Sequence, residues 1–440
     1  MALLCAAGAV AFGVIARPSD DRATAAPVYA AVRTPLLSPR RLPSLFAPAL
    51  AAVARGRFQQ TLAAIAAPFD RCVAVDDASG TLARVNADMP LTPASNAKLL
   101  TAAAALSILG PDFRFTTRAM LDAAGHLVLV GGGDPVLSSR AAQPGAVVTE
   151  LDDLARAVVG SRHAITGPVL VDDSRFDSAR VVPDWKQIYL TEGDVGPLGA
   201  LSVDGGFDVV LHKPATDPAV LAGTRFQERL HAHGVTLGGA VRHTIARDDA
   251  QEIAHVDSPP LSAMVEDMLT TSNNYTAELV TRELGVATSK AGTTAAGTNA
   301  IAGALNALGV PTAGVTLHDG SGLAPDDRVT CNALLRFLAL TGRAKFAAID
   351  RGLPVAGRTG TLALRFHGDP LSGVLRAKTG SINGVVSLSG TIDAGLRPRF
   401  AFVANGNFST QAGGKLQEDI AHAIARYPDA GSIAEVVPAP

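Results

Sequence analysis

The sequence predicts a mixed α/β fold of the α+β kind, carrying a β-rich region inserted into its middle. Three observations lead there. Residues 72–75 and 81–85 are short β-rich runs separated by a turn ending in Ser79-Gly80, which reads as a hairpin. An apolar run at 98–109 follows, opened by Pro93-Ala94-Ser95 and closed by Gly110-Pro111, as a helix is bracketed. From about 117 to 258 the texture changes, with Gly, Asp and Val punctuating runs such as His126-Leu127-Val128-Leu129-Val130.

The remaining elements follow in order. A first helix is expected around 58–67. Helical patterns return after Pro259, at 262–269, 275–284 and 294–308. Strand-like runs follow Ala377, including 385–392 and 399–403, and a last helix is expected over 411–427. A chain of 440 residues is expected to form more than one unit. The expected division is a catalytic unit in two pieces, 58–116 and 259–430, interrupted by the insert at 117–258. Residues 1–27 read as a leader, 28–57 as a Pro-, Ala- and Arg-rich linker, and 431–440 as a tail.

Composition narrows the function. Hydrophobic residues at 48% and charged residues at 18% support packed cores rather than disorder. A formal net charge of −2 leaves no electrostatic footprint for nucleic acid. Met1 to Ala16 carries no charge, yet is shorter than the about 20 residues of a spanning helix. It reads as the apolar region of a secretory signal or the end of a membrane anchor, so export is expected, with membrane association through this segment as one form of it. Outside the leader only Cys72 and Cys331 occur, which allows one disulfide and excludes a disulfide scaffold.

Three short motifs carry the chemistry. Ser95-Asn96-Ala97-Lys98 is the only S-x-x-K in the chain. At a helix start, positions i and i+3 share a face, so the lysine amine can reach the serine hydroxyl. A serine needs a base to become a nucleophile, and a lysine serves only if its surroundings depress its pKa. Taken alone, the motif also fits an N-cap serine followed by a surface lysine. Ser272-Asn273-Asn274 lies between two helical patterns, where it could present a hydroxyl and an amide, or merely cap a helix. Lys378-Thr379-Gly380 is the only K-T-G; its glycine would let a ligand backbone approach a strand edge. Arg358-Thr359-Gly360 is a similar triad twenty residues earlier. Weaker candidates are His231 and His233, spaced as a metal pair without supporting ligands, and Gly131-Gly132-Gly133, which lacks the rest of a phosphate loop. No metal or other cofactor is expected. Trp185 reads as a packed aromatic rather than a sugar platform, and Asp172-Asp173 and Asp326-Asp327 as turn acids.

S-x-x-K, S-x-N and K-T-G in that order are the motif set of penicillin-binding proteins and class A β-lactamases. The sequence resembles, more narrowly, the D-alanyl-D-alanine carboxypeptidase/endopeptidase family of class C low-molecular-mass penicillin-binding proteins, the S13 serine peptidases. The resemblance rests on the text from Asn86 through Thr101, on Gly131-Gly132-Gly133-Asp134-Pro135 and Asp173-Ser174-Arg175-Phe176, and on Asp319-Gly320-Ser321-Gly322-Leu323 and Ala377-Lys378-Thr379-Gly380-Ser381. It implies a transpeptidase-like domain, an antiparallel sheet flanked by helices, with the long insert between the first two motifs.

It also implies roles. Ser95 would attack the carbonyl between two terminal D-alanines of a peptidoglycan stem peptide, with Lys98 as base. Ser272 would pass the proton to the leaving amine, and Asn274 would bind the substrate amide and Lys98. Lys378 and Thr379 would hold the terminal carboxylate beside Gly380, and Lys378 would lower the pKa of Lys98. The N–H groups of Ser95 and Ser381 would form the oxyanion hole. β-Lactam antibiotics would acylate Ser95. Asp173 would line the cleft. Relatives often carry a Ser-Arg pair after D-G-S-G-L; here Ala324-Pro325 stands instead, with Arg328 three residues on. The K-T-G is expected to be the functional triad, because strands and a helix follow it, whereas Arg358-Thr359-Gly360 leads into a short helical G-T-L segment. The alternatives are a β-lactamase and a non-catalytic cell-wall binding protein of the same fold.

Overall fold

The computed structural model describes residues 43–65, 67 and 69–428, with side chains from 47 onward. The leader and the tail assigned from sequence lie outside these residues. Helix α1 (Pro43–Ile65) comes first, then the hairpin β1 (Asp70–Asp77) and β2 (Gly80–Val85), then α2 (Ala97–Ile108). The insert contributes β3 (Thr116–Leu121), β4 (Leu127–Val130), α3 (Leu151–Gly160), β5 (Leu170–Asp172), α4 (Pro218–Ala232), β6 (Arg242–His243) and β7 (Gln251–Asp257). Four helices follow: α5 (Leu261–Thr271), α6 (Asn274–Ser289), α7 (Thr294–Ala307) and α8 (Cys331–Leu338). The chain closes with β8 (Leu375–Ile382), β9 (Val385–Ile392), β10 (Arg399–Asn405) and α9 (Thr410–Ala425).

The principal sheet has the order β8-β9-β10-β1-β2 and is antiparallel throughout. Side chains alternate faces along a strand, and both faces here are apolar. Val73, Val75, Phe400 and Phe402 pack toward α1 and α9, against Phe58, Leu62, Ile420 and Ile424. Cys72, Ala74, Ala401 and Val403 face the other way, toward α2 and the helices around it. Helix α2 is buried from Ala97 through Leu106, as expected of a helix apolar on all sides. Cys72 on β1 and Cys331 at the start of α8 form a disulfide across this layer, with Cα atoms 5.8 Å apart.

Residues 43–57, expected as linker, are instead the larger part of α1. Alanine is the strongest helix former, and Ala54, Phe58 and Leu62, four residues apart, give the helix a buried stripe. The insert builds a sheet of its own. Its sheet, order β6-β5-β4-β3-β7, mixes parallel and antiparallel pairs. Two helices cover it: Leu151, Leu154, Ala155 and Val158 of α3, and Ala219, Ala222, Phe226 and Leu230 of α4, share its core. The insert thus has the expected strands, with two helices packed on its sheet. A separate apolar cluster joins the insert segment 176–200, through Phe176, Trp185 and Leu198, to Tyr275 and Leu279 of α6 and to Leu323.

Candidate active site

The three motifs converge on one end of the principal sheet. Ser95 sits in a single 3-10 turn, Ala94–Asn96, that runs straight into α2. Ala94 has φ +47°, a left-handed value uncommon for a residue with a Cβ, so the turn must be held by its surroundings. Ser387 of β9 donates to the Pro93 carbonyl at 2.6 Å and accepts from the Asn96 amide group. Asn405 of β10 pairs with both the N–H and the C=O of Thr92, at 2.9 and 3.0 Å. Gly380 lies opposite Ser387 in the ladder, and a Cβ there would stand 2.2 Å from Ser387 Oγ and 3.0 Å from Ser95 N. The glycine of K-T-G thus makes room for the nucleophile's own turn.

Lys98, one turn into the helix and fully buried, places its Nζ 3.0 Å from Ser95 Oγ. The same amine donates to Asn274 Oδ1 at 2.6 Å and to the Ser321 carbonyl at 2.7 Å. Ser272 caps the end of α5 in a left-handed conformation (φ +63°), and its Oγ accepts from Lys378 Nζ at 2.9 Å. The capping of α6 falls to Asn273, whose side chain accepts from Thr276 N, which leaves Asn274 free to face the site. Asn274 Nδ2 in turn donates to the Asp194 carbonyl of the insert at 2.9 Å. Lys378 is fully buried on the edge strand β8 and also donates to Thr379 O at 2.8 Å. On that strand the Ala377 N–H leaves the free edge for the Pro354 carbonyl. Strand N–H groups alternate edges, so those of Thr379 and Ser381 face the free edge too, while the Ser95 turn packs against β8 and β9.

Burial dominates the electrostatics. It pulls the Lys98 ammonium down to about 8, against the opposing fields of Asp319, Glu278 and Asp327. Lys378 lies well below its ordinary value, first through burial and then through the charge on Lys98. Desolvation is the larger cause for both lysines, and their mutual repulsion acts in the same direction. Behind Lys98 lie three buried carboxyl groups, Glu278, Asp319 and Asp327. Glu278 Oε1 accepts the N–H groups of Gly320 and Ser321 at 3.0 and 2.8 Å, and Asp319 accepts those of Ser321, Gly322 and Ala324. These bonds fix the Ser321 carbonyl that holds Lys98. Burial and the neighbouring Asp319 push Glu278 up to about 8. The same two causes carry Asp327 well above the usual carboxylate range.

Thus Ser95, Lys98, Ser272, Asn274, Lys378, Thr379, Gly380 and Ser381 share one site. Asp173 does not join their hydrogen bonds: its carboxylate is taken up inside the insert by Arg180 at 2.7 Å and His243 at 3.4 Å. Arg328 is likewise committed, donating to Thr92 Oγ1 and to the Pro325 and Asp327 carbonyls. Trp185 is packed, its indole N–H on Asp319 at 2.8 Å. His231 and His233 bond Thr236 and Asp152, and no cluster of metal-binding side chains occurs among the described residues.

Asp327 closes a turn, its N–H on the Ala324 carbonyl, and its side chain is buried. Sequence reasoning passed over Glu278 and Thr361. Glu278 stands four residues after Asn274, on the same face of a helix, a spacing that could have found it. Thr361 follows the look-alike triad, whose Gly360 opens a 3-10 turn, and its Oγ1 lies 2.7 Å from Thr379 Oγ1.

A serine with a buried lysine at i+3, closed by a serine, an asparagine and a second lysine, defines an acyl-transfer serine enzyme of the penicillin-binding type. The family described as "D-Ala-D-Ala carboxypeptidase 3 (S13) family" matches over residues 63–216 and 208–427, and the chain belongs to it. A D-alanyl-D-alanine carboxypeptidase of Actinomadura sp. is 33% identical, with 81% of each chain covered. A carboxypeptidase of Mycobacterium tuberculosis is 34% identical over 72% of each. The crystal structure of penicillin-binding protein 4 from Haemophilus influenzae shares the fold, with a TM-score of 0.72 at 20% identity over 85% of this chain and 99% of that one. The chain is accordingly a serine-type peptidase of the D-Ala-D-Ala carboxypeptidase family.

Proposed function

We propose that the protein removes the terminal D-alanine of peptidoglycan stem peptides through an acyl-enzyme on Ser95, with hydrolysis of D-alanine cross-links as a second reaction of the same site. The observation that carries this is the contact of Lys98 Nζ with Ser95 Oγ, made by an amine that burial holds near a pKa of about 8. Neutral Lys98 takes the Ser95 proton as Oγ bonds to the carbonyl carbon of the penultimate D-alanine. Negative charge on the former carbonyl oxygen is met by the N–H groups of Ser95 and Ser381, donors typically worth about 3 kcal/mol each. The C–N bond then breaks, with Ser272 passing a proton to the departing amine and Lys378 replenishing it. Water attacks the ester, releases the shortened peptide and restores Ser95.

Thr379 and Lys378 receive the terminal carboxylate, whose charge offsets the burial of the Lys378 ammonium. The insert segment that holds Asn274 through Asp194 forms one wall of the cleft. β-Lactams, which imitate the D-Ala-D-Ala end, acylate the same oxygen. The reaction belongs outside the cytoplasm, in keeping with the Cys72–Cys331 disulfide. Among the described residues no helix is long and apolar enough to cross a membrane.

Labelling with a fluorescent penicillin tests the reading. A long-lived adduct is expected on the native chain and none on Ser95→Ala. No Ser95-dependent adduct would leave a non-catalytic wall-binding protein, and loss of the adduct within seconds would point to a β-lactamase. Release of D-alanine from a pentapeptide, set against cleavage of a cross-linked dimer, separates the two peptidase reactions.

A further inference from the structure

The second triad, Arg358-Thr359-Gly360, has no part in the Ser95 hydrogen bonds, yet it serves as a mount. Gly360, at φ +58°, presses so closely on the end of α5 that a Cβ would stand 2.2 Å from the Thr270 carbonyl, two residues before Ser272. Thr359 Oγ1 accepts from Val355 N at 3.0 Å, and Leu362 is buried in the core beneath the sheet. Thr361 is held between these anchors, with an exposed side chain 2.7 Å from the Thr379 hydroxyl. An exposed threonine with no ligand to meet would gain little from such confinement. We propose that Thr361 is a positioning residue for the substrate's terminal carboxylate, forming with Thr379 a two-hydroxyl clamp that selects peptides with a free C-terminus. The inference rests on the assignment of Thr379 to the carboxylate made above.

The proton count supports it. Each threonine hydroxyl has one proton, and two hydroxyls 2.7 Å apart use one of them between themselves. One proton remains to point at an incoming anion, and the hydroxyl that donates it is polarised by its partner. Lys378, by contrast, is already engaged with Ser272 Oγ and Thr379 O, so it supplies charge more readily than direction. The clamp therefore needs Thr361 to keep the Thr379 hydroxyl aimed outward.

The test compares a peptide ending in D-Ala-D-Ala with the same peptide bearing a C-terminal amide. Thr361→Val is expected to raise KM for the free acid by roughly tenfold, as for a lost bond supporting a charged acceptor, with kcat changed by less than about twofold. The amide's kinetics should stay within about twofold of native, and Thr361→Ser should restore the acid. Thr379→Val is the companion variant. If it erodes the preference for the acid while Thr361→Val does not, the role of Thr361 is overturned and the assignment of Thr379 stands. If Thr379→Val leaves the preference intact, the carboxylate assignment fails and the clamp with it. An equal loss on both peptides in Thr361→Val, at unchanged penicillin labelling of Ser95, marks a merely structural residue and also overturns the proposal.

Discussion

Lys98 can act as a base only when neutral, and its burial brings the change of charge to about pH 8. Below that value the amine holds its proton and cannot take the one on Ser95. Acylation by a peptide or a penicillin should therefore rise with pH toward a plateau above 8. At pH 6 it should be roughly 100-fold slower than on the plateau, since two units below its pKa a base is about 1% free. Stopped-flow acylation across pH 6–10 measures this, and a flat profile would remove Lys98 from the role of base. The charged groups acting on Lys98 are Asp319 and Asp327 on the loop after α7, Glu278 on α6, and Lys378 on β8. Glu278 favours the charged form of Lys98. Glu278→Gln keeps an oxygen for the Gly320 and Ser321 N–H groups but cannot ionise. Burial and Asp319 push Glu278 itself up to about 8, so it carries little charge below that value. The acid limb should therefore stay in place with the plateau within about threefold of native, and a limb displaced to lower pH would show that Glu278 is ionised beside Lys98.

At the scale of elements, the site depends on how closely the Ser95 turn lies against β8 and β9. Gly380→Ala would put a methyl carbon within 2.2 Å of Ser387 Oγ and 2.9 Å of the Pro93 carbonyl. Something must shift, and Ser387 Oγ cannot turn away without releasing its bonds to Pro93 and Asn96, which hold the Ala94–Asn96 turn and its left-handed alanine. Penicillin acylation of Gly380→Ala should fall by more than about 100-fold, the cost expected of a misplaced nucleophile, while the thermal midpoint falls by only a few degrees. Normal acylation would show that the turn can retreat without loss.

The helices that build this region were legible from sequence to within a few residues, because Pro93, Pro259 and Gly110-Pro111 mark their limits. The motif residues were legible for a different reason: each motif alone fits a helix cap or a solvated cation, but S-x-x-K, S-x-N and K-T-G in that order form a recognisable set. Other features were hidden. Ala-rich residues 43–57 resemble a linker until Phe58 and Leu62 are seen to continue their stripe into the core. Helix α3 carries its pattern openly in Leu151, Leu154, Ala155 and Val158, but the surrounding Gly and Asp turns masked it. Thr361 and Ser387 act across strands and turns, through contacts that no spacing along the chain encodes.

Across the whole molecule, the strands and helices before residue 116 and those after 259 that build the principal sheet and its layers are far apart in sequence and joined by a disulfide. Cys72 lies on β1, in the interior of the principal sheet, and Cys331 begins α8, directly after the loop that carries Asp319, Ser321 and Asp327. A crosslink spanning 259 residues removes much freedom from the unfolded chain. Its loss from Cys72→Ala/Cys331→Ala should therefore cost about 2–5 kcal/mol. The loop has other ties: Thr101 Oγ1 bonds the Gly320 carbonyl at 2.7 Å, and Glu278 and Asp319 hold its N–H groups. Those ties belong to the folded state and survive without the bridge. The double variant should therefore show a lower thermal midpoint but, at temperatures where it stays folded, penicillin acylation within about threefold of native. A folded variant that no longer acylates would mean that the bridge itself positions Ser321 and Lys98, and that the site is strung between β1 and α8 rather than held locally by α2 and α6.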